Sequence, residues 1–256
     1  MSFNHESQPE TWDKFWGRKD WAPVTNSALL QCITEVMGGD ITGKKILEVG
    51  CGKAGDSVAL RKMGADCYVL DYSNTALAVS GNLAEEQSVK LFPVMSNAKN
   101  LSFKANVFDL VFSQGLIEHY QPPNLLISEQ KRVVKPGGFV LIDVPQLISL
   151  QAVSKRMMMS LGKWPFGWER DYTESQLKEI LDKLGLEFVI SYGWGFGPAL
   201  GLGLRSDLRT MLDKIEKRGE ERRTNFLRTN SGLQRSWLAR HCLNFIGVVG
   251  EKPKIL

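Results

Sequence analysis

The sequence predicts an α/β fold built on a mostly parallel sheet, and three observations carry that reading. Short apolar, β-branched runs alternate with helix-length amphipathic segments between about residues 41 and 145. The first run, KILEV (45–49), passes directly into the glycine turn GCGKAG (50–55), the way an open parallel sheet presents a ligand site at the carboxyl end of a strand. At 256 residues, with 43% hydrophobic and 23% charged content, the chain has the make-up of a globular protein with one large core.

The elements follow in order. Ser27 to Met37 reads as an amphipathic helix closed by Gly38-Gly39, after a polar, tryptophan-rich N-terminus. Strand 45–49 is followed by a helix from Asp56 to Met63, stopped by Gly64. ADCYVL (65–70) is the next strand, and Ser73 is placed to cap a helix running to Gln87. LFPV (91–94) and VFDLVFS (107–113) are strands. A helix after Pro122-Pro123 runs to Val134, and KPGG (135–138) reads as a turn into the strand FVLIDVP (139–145). Helical connections of this length imply right-handed βαβ units. Beyond Pro145 the pattern is looser. Residues 146–170 read as an insertion with a short basic helix, Thr173 caps a helix to Leu184, and EFVISY (187–192) is a strand. A long excursion, 193–243, precedes the last strand near 244–252. The whole reads as a single domain, 1–256: an N-terminal lid and helix (1–40), a cofactor-binding core (41–145), cap insertions (146–172 and 193–243), and a last strand with tail (244–256).

Gly50, Gly52 and Gly55 match G-x-G-x-x-G, and Asp71 ends the second strand. Taken alone, this also fits a dinucleotide site, so an NAD(P)-dependent oxidoreductase is the first alternative. Glu48 just ahead of the turn changes the balance. The stretch ILEVGCG resembles the E-x-G-x-G signature of class I S-adenosylmethionine-dependent methyltransferases. LDYS (70–73), FDLVFSQGLIEHY (108–120) and VVKPGGFVLIDVP (133–145) resemble that family's later motifs, in its order and spacing. The resemblance is nearest the quinone-biosynthetic and related small-molecule branches. It implies a Rossmann-like seven-stranded sheet with the last strand antiparallel, and S-adenosyl-L-methionine as cofactor, with S-adenosyl-L-homocysteine as product. A methyl group would pass to oxygen or nitrogen of a small molecule, lipid- or glycan-linked acceptors included. The second alternative is a non-catalytic partner subunit that binds the cofactor.

The same resemblance implies the site. Glu48 would face the methionyl ammonium, and Gly50, Cys51, Gly52 and Gly55 would give backbone clearance. Asp71 would take both ribose hydroxyls as a bidentate acceptor, with Tyr72 packed on adenine. Asn97 and Ala98 follow the third strand, where the family often has an acidic residue, so Asn97 is a departure that keeps a carbonyl acceptor. Gln114 and Gly115 would lie along the methionine moiety. His119 is the candidate base and Glu118 its neighbour for orienting the acceptor. Cys51 reads as packing rather than as a nucleophile.

Trp12, Phe15, Trp16 and Trp21 either staple the first helix to the sheet or form a lid, with Trp16 the expected cofactor contact. WERDYT (168–173) resembles a segment of small-molecule methyltransferases, which makes Trp168 and Tyr172 candidate acceptor contacts. Residues 149–168 contain Lys155, Arg156, Lys163, three methionines and two tryptophans but no acid; a cap helix is the preferred reading, with peripheral membrane contact the other. From Arg205 to Arg240, ten Lys/Arg against five Asp/Glu give a local +5 in a chain of net charge +4. That is a solvated face or a guide for an anionic acceptor; without aromatic interleaving or an RNA-binding module, no nucleic acid is expected. The four cysteines show no metal-ligand spacing, so no metal is expected, and reduced thiols fit the cytoplasmic location expected of a chain starting without a signal-like run. No apolar stretch is long enough to span a bilayer, and the oligomeric state is not legible.

Overall fold

The computed structural model describes residues 5–6, 9–17, 25–164, 166–195 and 242–254. Trp21, most of the 193–243 excursion and the basic 205–240 segment therefore lie outside the described residues. In chain order the elements are β1 (His5–Glu6), α1 (Pro9–Trp16), α2 (Ser27–Val36), β2 (Lys45–Val49), α3 (Gly55–Lys62), β3 (Asp66–Asp71), α4 (Asn74–Glu86) and β4 (Phe92–Met95). Then come β5 (Phe108–Gln114), a 3-10 turn (Ile117–His119), β6 (Tyr120–Gln121), α5 (Asn124–Val133), β7 (Val134–Pro145), α6 (Leu150–Ser160), α7 (Glu174–Lys183), β8 (Glu187–Trp194) and β9 (Phe245–Glu251).

Seven strands form one sheet in the order β4-β3-β2-β5-β7-β9-β8. Strands β4, β3, β2, β5 and β7 pair in parallel, and β9 runs antiparallel to both β7 and β8. This is the sheet expected of a class I methyltransferase. The strand order reverses at β2: the chain leaves it toward β3 on one side and returns to β5 on the other. That opens a crevice at the carboxyl ends of these strands, where ligands bind in open α/β sheets.

Both faces of the sheet are covered, and the alternation within each strand divides the core. On β2, Leu47 and Val49 join the cluster that includes Phe108, Val111 and Leu126, whereas Ile46 faces the cluster under α2 and α3 with Leu60 and Phe112. Glu48 is on the Ile46 side, a carboxylate placed in an apolar face. The caps match the sequence reading: Ser73 Oγ accepts from Ala76 N at 3.1 Å, and Thr173 forms a capping box with Gln176.

Three features differ from the sequence reading. KPGG is no turn: β7 runs through it from Val134, with its pairing to β5 shifted between Phe108 and Leu110. The cause is close approach, because a Cβ on Gly138 would stand 2.7 Å from the Asp109 carbonyl oxygen. The tryptophan-rich N-terminus contains a helix, α1. Ahead of it, β1 pairs antiparallel with β6 in a separate two-stranded sheet.

Candidate active site

The cleft is built from the carboxyl end of β2 outward. The amides of Gly50 and Cys51 both donate to Leu70 O, at 2.8 and 3.0 Å, which fastens the glycine turn to β3. Gly50 and Gly52 have φ of +74° and +49°, conformations that β-carbons disfavour. Asp71 Oδ2 accepts from Gly52 N and Oδ1 from Ser73 N, each at 3.0 Å. Each carboxylate oxygen keeps acceptor capacity for a ligand. Burial raises the Asp71 pKa, and the backbone amides of Ser73 and Gly52 oppose that shift.

Glu48 is buried, and Ser57 Oγ donates to its Oε2 at 2.5 Å. Burial, with Asp56 beside it, pushes its pKa well above the ordinary carboxylate value. Asp56, in the first turn of α3, accepts from Asn26 N at 2.6 Å and is pushed up to about 7, chiefly by burial. Because Asn26 caps α2, this bond ties the starts of two helices together beneath the turn.

A second wall rises from the end of β5. Gly115 (φ +63°) turns the chain into the 3-10 segment, which Ile117 anchors in the core. Glu118 and His119 are 3% and 4% exposed and line the cleft. Among the described residues Glu118 Oε2 and His119 Nδ1 have no hydrogen-bond partner, while the His119 ring bonds the Trp168 backbone. Burial pushes His119 down to about 4, so it is a neutral imidazole at physiological pH, and it drives Glu118 well above its ordinary value. His119 Nε2 stands 3.8 Å from Glu169 Oε1. Lys155 Nζ donates to Glu169 Oε2 at 2.9 Å and also binds Asp171. Burial opposes the charge on Lys155, but its two carboxylate partners outweigh that and hold its pKa above the usual value.

An aromatic roof closes the cleft. Trp12 meets His119 edge-on at 4.8 Å and stacks on Trp16 at 6.1 Å and Phe166 at 6.3 Å. Trp16 lies on the glycine turn so closely that a Cβ on Gly52 would stand 2.5 Å from its ring. Ser73 Oγ, next to the Asp71-Tyr72 pair, donates to Asp13 at 2.5 Å and pins α1 in place. The main cleft, about 370 Å³, falls within the roughly 300–1,000 Å³ of small-molecule sites. A pocket of about 40 Å³ continues past Asp71, Tyr72, Ala98 and Leu116.

The structure brings most of the expected residues together. Glu48, Gly50, Cys51, Gly55, Gln114, Gly115, Glu118, His119 and Trp16 line the main cleft, and Asp71, Tyr72 and Ala98 the adjoining pocket. Gly52 lies under the Trp16 ring. Asn97 is not brought in: its Oδ1 accepts from Lys99 N at 2.9 Å in an exposed turn, and Ser96 and Ala98 line the pocket instead. Nor does Tyr172 line the cleft. It is 1% exposed and packed in the core, with its backbone bonded to Pro145 and Leu147 and Arg170 over its ring. Trp168, half-buried, is also absent from the lining, where Trp164 and Phe166 stand. Glu169 escaped the sequence reading, although it is the first acid after the acid-free run 149–168.

Comparison with known proteins agrees with this geometry. A family model described as a methyltransferase domain matches residues 47–142. A ubiquinone biosynthesis O-methyltransferase from Shewanella sp. (strain ANA-3) is 32% identical over 203 residues, which cover 77% of this chain and 86% of that protein. The chain belongs to the class I S-adenosylmethionine-dependent methyltransferases. A ubiquinone biosynthesis O-methyltransferase from Cereibacter sphaeroides (strain ATCC 17025 / ATH 2.4.3) is 25% identical over 161 residues, 61% of this chain, and the chain spans 65% of that relative's length. Among solved structures, a SAM-dependent methyltransferase from Aquifex aeolicus superposes with a TM-score of 0.55 at 15% identity, covering 96% of this chain and 98% of the other. The cyclase SpnF superposes with a TM-score of 0.58 at 19% identity, covering 89% and 81%. At such identities the likeness concerns the fold, which serves a cyclase as well as methyltransferases.

Membership of this family implies S-adenosylmethionine as the cofactor, and the residues fit it. The glycine turn leaves bare backbone beside Glu48, a carboxylate suited to an ammonium group. Asp71 has acceptor capacity to spare for vicinal hydroxyls, and Tyr72, Ala98 and Leu116 line the small pocket beside it.

Proposed function

We propose that this methyltransferase O-methylates a small, ring-bearing hydroxyl compound at the face formed by Glu118 and His119. One observation carries the reading: two buried side chains, each with an unpartnered polar atom, line the same cleft as Glu48 and the glycine turn. Unsatisfied buried polar atoms are costly, and an acceptor bearing two neighbouring oxygens would satisfy both. The roof of Trp12, Trp164 and Phe166 suits a planar ring, and the O-methyltransferase relatives support an oxygen acceptor.

Bound S-adenosylmethionine supplies an electrophilic methyl group whose sulfonium carrier departs as a neutral thioether. The chain's own residues do the rest. The walls align the acceptor oxygen and exclude water, which can supply much of the barrier reduction in such a displacement. Neutral His119 takes the hydroxyl proton as the oxygen gains its methyl group, and Glu169 steadies the imidazolium that results. Burial favours the protonated form of Glu118, and in that form it donates to a second oxygen on the acceptor. A screen of phenols, vicinal diols and amines for S-adenosylhomocysteine release tests this. Release with ring hydroxyl compounds, lost in His119→Ala, supports it; release with amines alone contradicts it.

A further inference from the structure

We infer that the outer face of α6 is a docking surface for an anionic lipid bilayer, an inference independent of the acceptor proposed above. The inner side of the helix is fixed. Ser149 caps it, Ala152 and Met158 are buried, and Lys155 is clasped by Glu169 and Asp171. With its rotation set in this way, Leu150, Val153, Met157 and Leu161 point to solvent, 51%, 65%, 54% and 61% exposed. Their spacing of three and four residues makes a single stripe, and Ile148, 58% exposed, extends it. Helix α7 behaves otherwise: its exposed positions are Ser175, Glu179, Asp182 and Lys183.

Charge says what covers the stripe. Residues 149–168 contain no Asp or Glu, and two exposed cations flank the apolar side chains. Lys163 is exposed, and Arg156 is 56% exposed with its guanidinium 4.0 Å from Asp171. An apolar stripe edged by cations meets what an anionic bilayer offers, acyl chains below and phosphates at the rim. A second copy of this chain is a poor occupant. A stable interface buries roughly 1,200–2,000 Å², and a stripe one side chain wide on an 11-residue helix cannot supply that. The position is also suggestive of use. Gln151 of α6 and Trp164 just beyond it line the cleft, so a docked α6 places the cleft beside the lipid.

Co-sedimentation of the full chain with vesicles tests the inference, using phosphatidylcholine mixed with phosphatidylglycerol against phosphatidylcholine alone. The native chain is expected to partition onto the mixed vesicles, more weakly as salt rises. Val153→Glu combined with Met157→Glu should reduce partitioning by about tenfold or more, with an unchanged circular dichroism spectrum. Lys163→Glu should weaken it on mixed vesicles only. If the double variant is poorly folded, Leu150→Ser with Leu161→Ser makes the same test. The inference is overturned if the native chain ignores mixed vesicles, or if folded stripe variants bind as it does. It is equally overturned if the substitutions instead convert a lipid-free dimer into monomers.

Discussion

His119 Nε2 and Glu169 Oε1 stand 3.8 Å apart in a buried wall of the cleft, and the far oxygen of Glu169 is held by Lys155. The distance is longer than a hydrogen bond. It is close enough that a proton arriving on His119 meets a countercharge at once. A histidine held at about 4 by burial, with the Lys155 charge also opposing its protonation, is a weak base in isolation; a backbone hydrogen bond to Trp168 favours the protonated ring, and Glu169 is the carboxylate beside it.

The two residues should therefore fail differently. His119→Ala should lower kcat by about 10²–10⁴ and leave the calorimetric affinity for S-adenosylmethionine unchanged. Glu169→Gln keeps the shape but loses the countercharge, so kcat should fall while the acceptor KM changes little. Equal losses in kcat and cofactor affinity would make both residues structural.

Gly52 and Trp16 share one space. Gly52→Ala adds a Cβ 2.5 Å from the indole at a φ of +49°, and should cost about 1–3 kcal/mol in stability along with cofactor affinity. Combining it with Trp16→Ala relieves the clash but not the backbone strain. In chemical denaturation the double variant should then lose less than the sum of the single losses. Strict additivity would mean that Trp16 does not rest on the turn.

Asp143 is fully buried, accepts from Tyr192 Oη at 2.7 Å and Trp194 Nε1 at 2.8 Å, and is pushed up to about 7 by burial. Asp56 is likewise raised to about 7. The sign follows from linkage. Between the ordinary carboxylate value of 3.8 and 7 the folded state holds protons that the unfolded state has released. The stabilisation is full below 3.8 and lost as pH rises through 7. His119 acts oppositely, since its depressed value makes the unfolded state bind more protons between about 4 and 6.5 and stability falls as pH drops through that window. Asp143→Asn keeps an acceptor for Tyr192 and Trp194 and removes one titration. Its Tm at pH 8 should exceed that of the native chain by a few degrees, and the difference should shrink as pH falls and vanish below 3.8. A pH-independent difference would remove Asp143 from this role.

Much of the cofactor half was readable because local rules and tertiary demands coincide there. Glu48, the glycine turn and Asp71 are adjacent to strands whose apolar alternation is unambiguous, and Ser73 and Thr173 announce their helices by capping. KPGG misled because its turn chemistry is real but its surroundings override it: the Asp109 carbonyl fills the space a side chain at 138 would need. Asn97 misled because its side chain satisfies a local amide instead of reaching the cleft. The acceptor half was less legible for a different reason. Glu169, Trp164 and Phe166 come to the cleft from a loosely patterned insertion, and their neighbours there, His119 and Trp12, are far away in sequence.

The central claim is that the glycine turn, Glu48 and Asp71 together hold S-adenosylmethionine. Calorimetric titration of the native chain and of Asp71→Asn with S-adenosylmethionine, alongside NAD(P)H, tests it most directly. The account predicts binding of S-adenosylmethionine alone, weakened in Asp71→Asn by about 1.5–3 kcal/mol, the loss of a charge-assisted hydrogen bond. Binding of the dinucleotide instead, or an Asp71→Asn affinity equal to the native one, would contradict it.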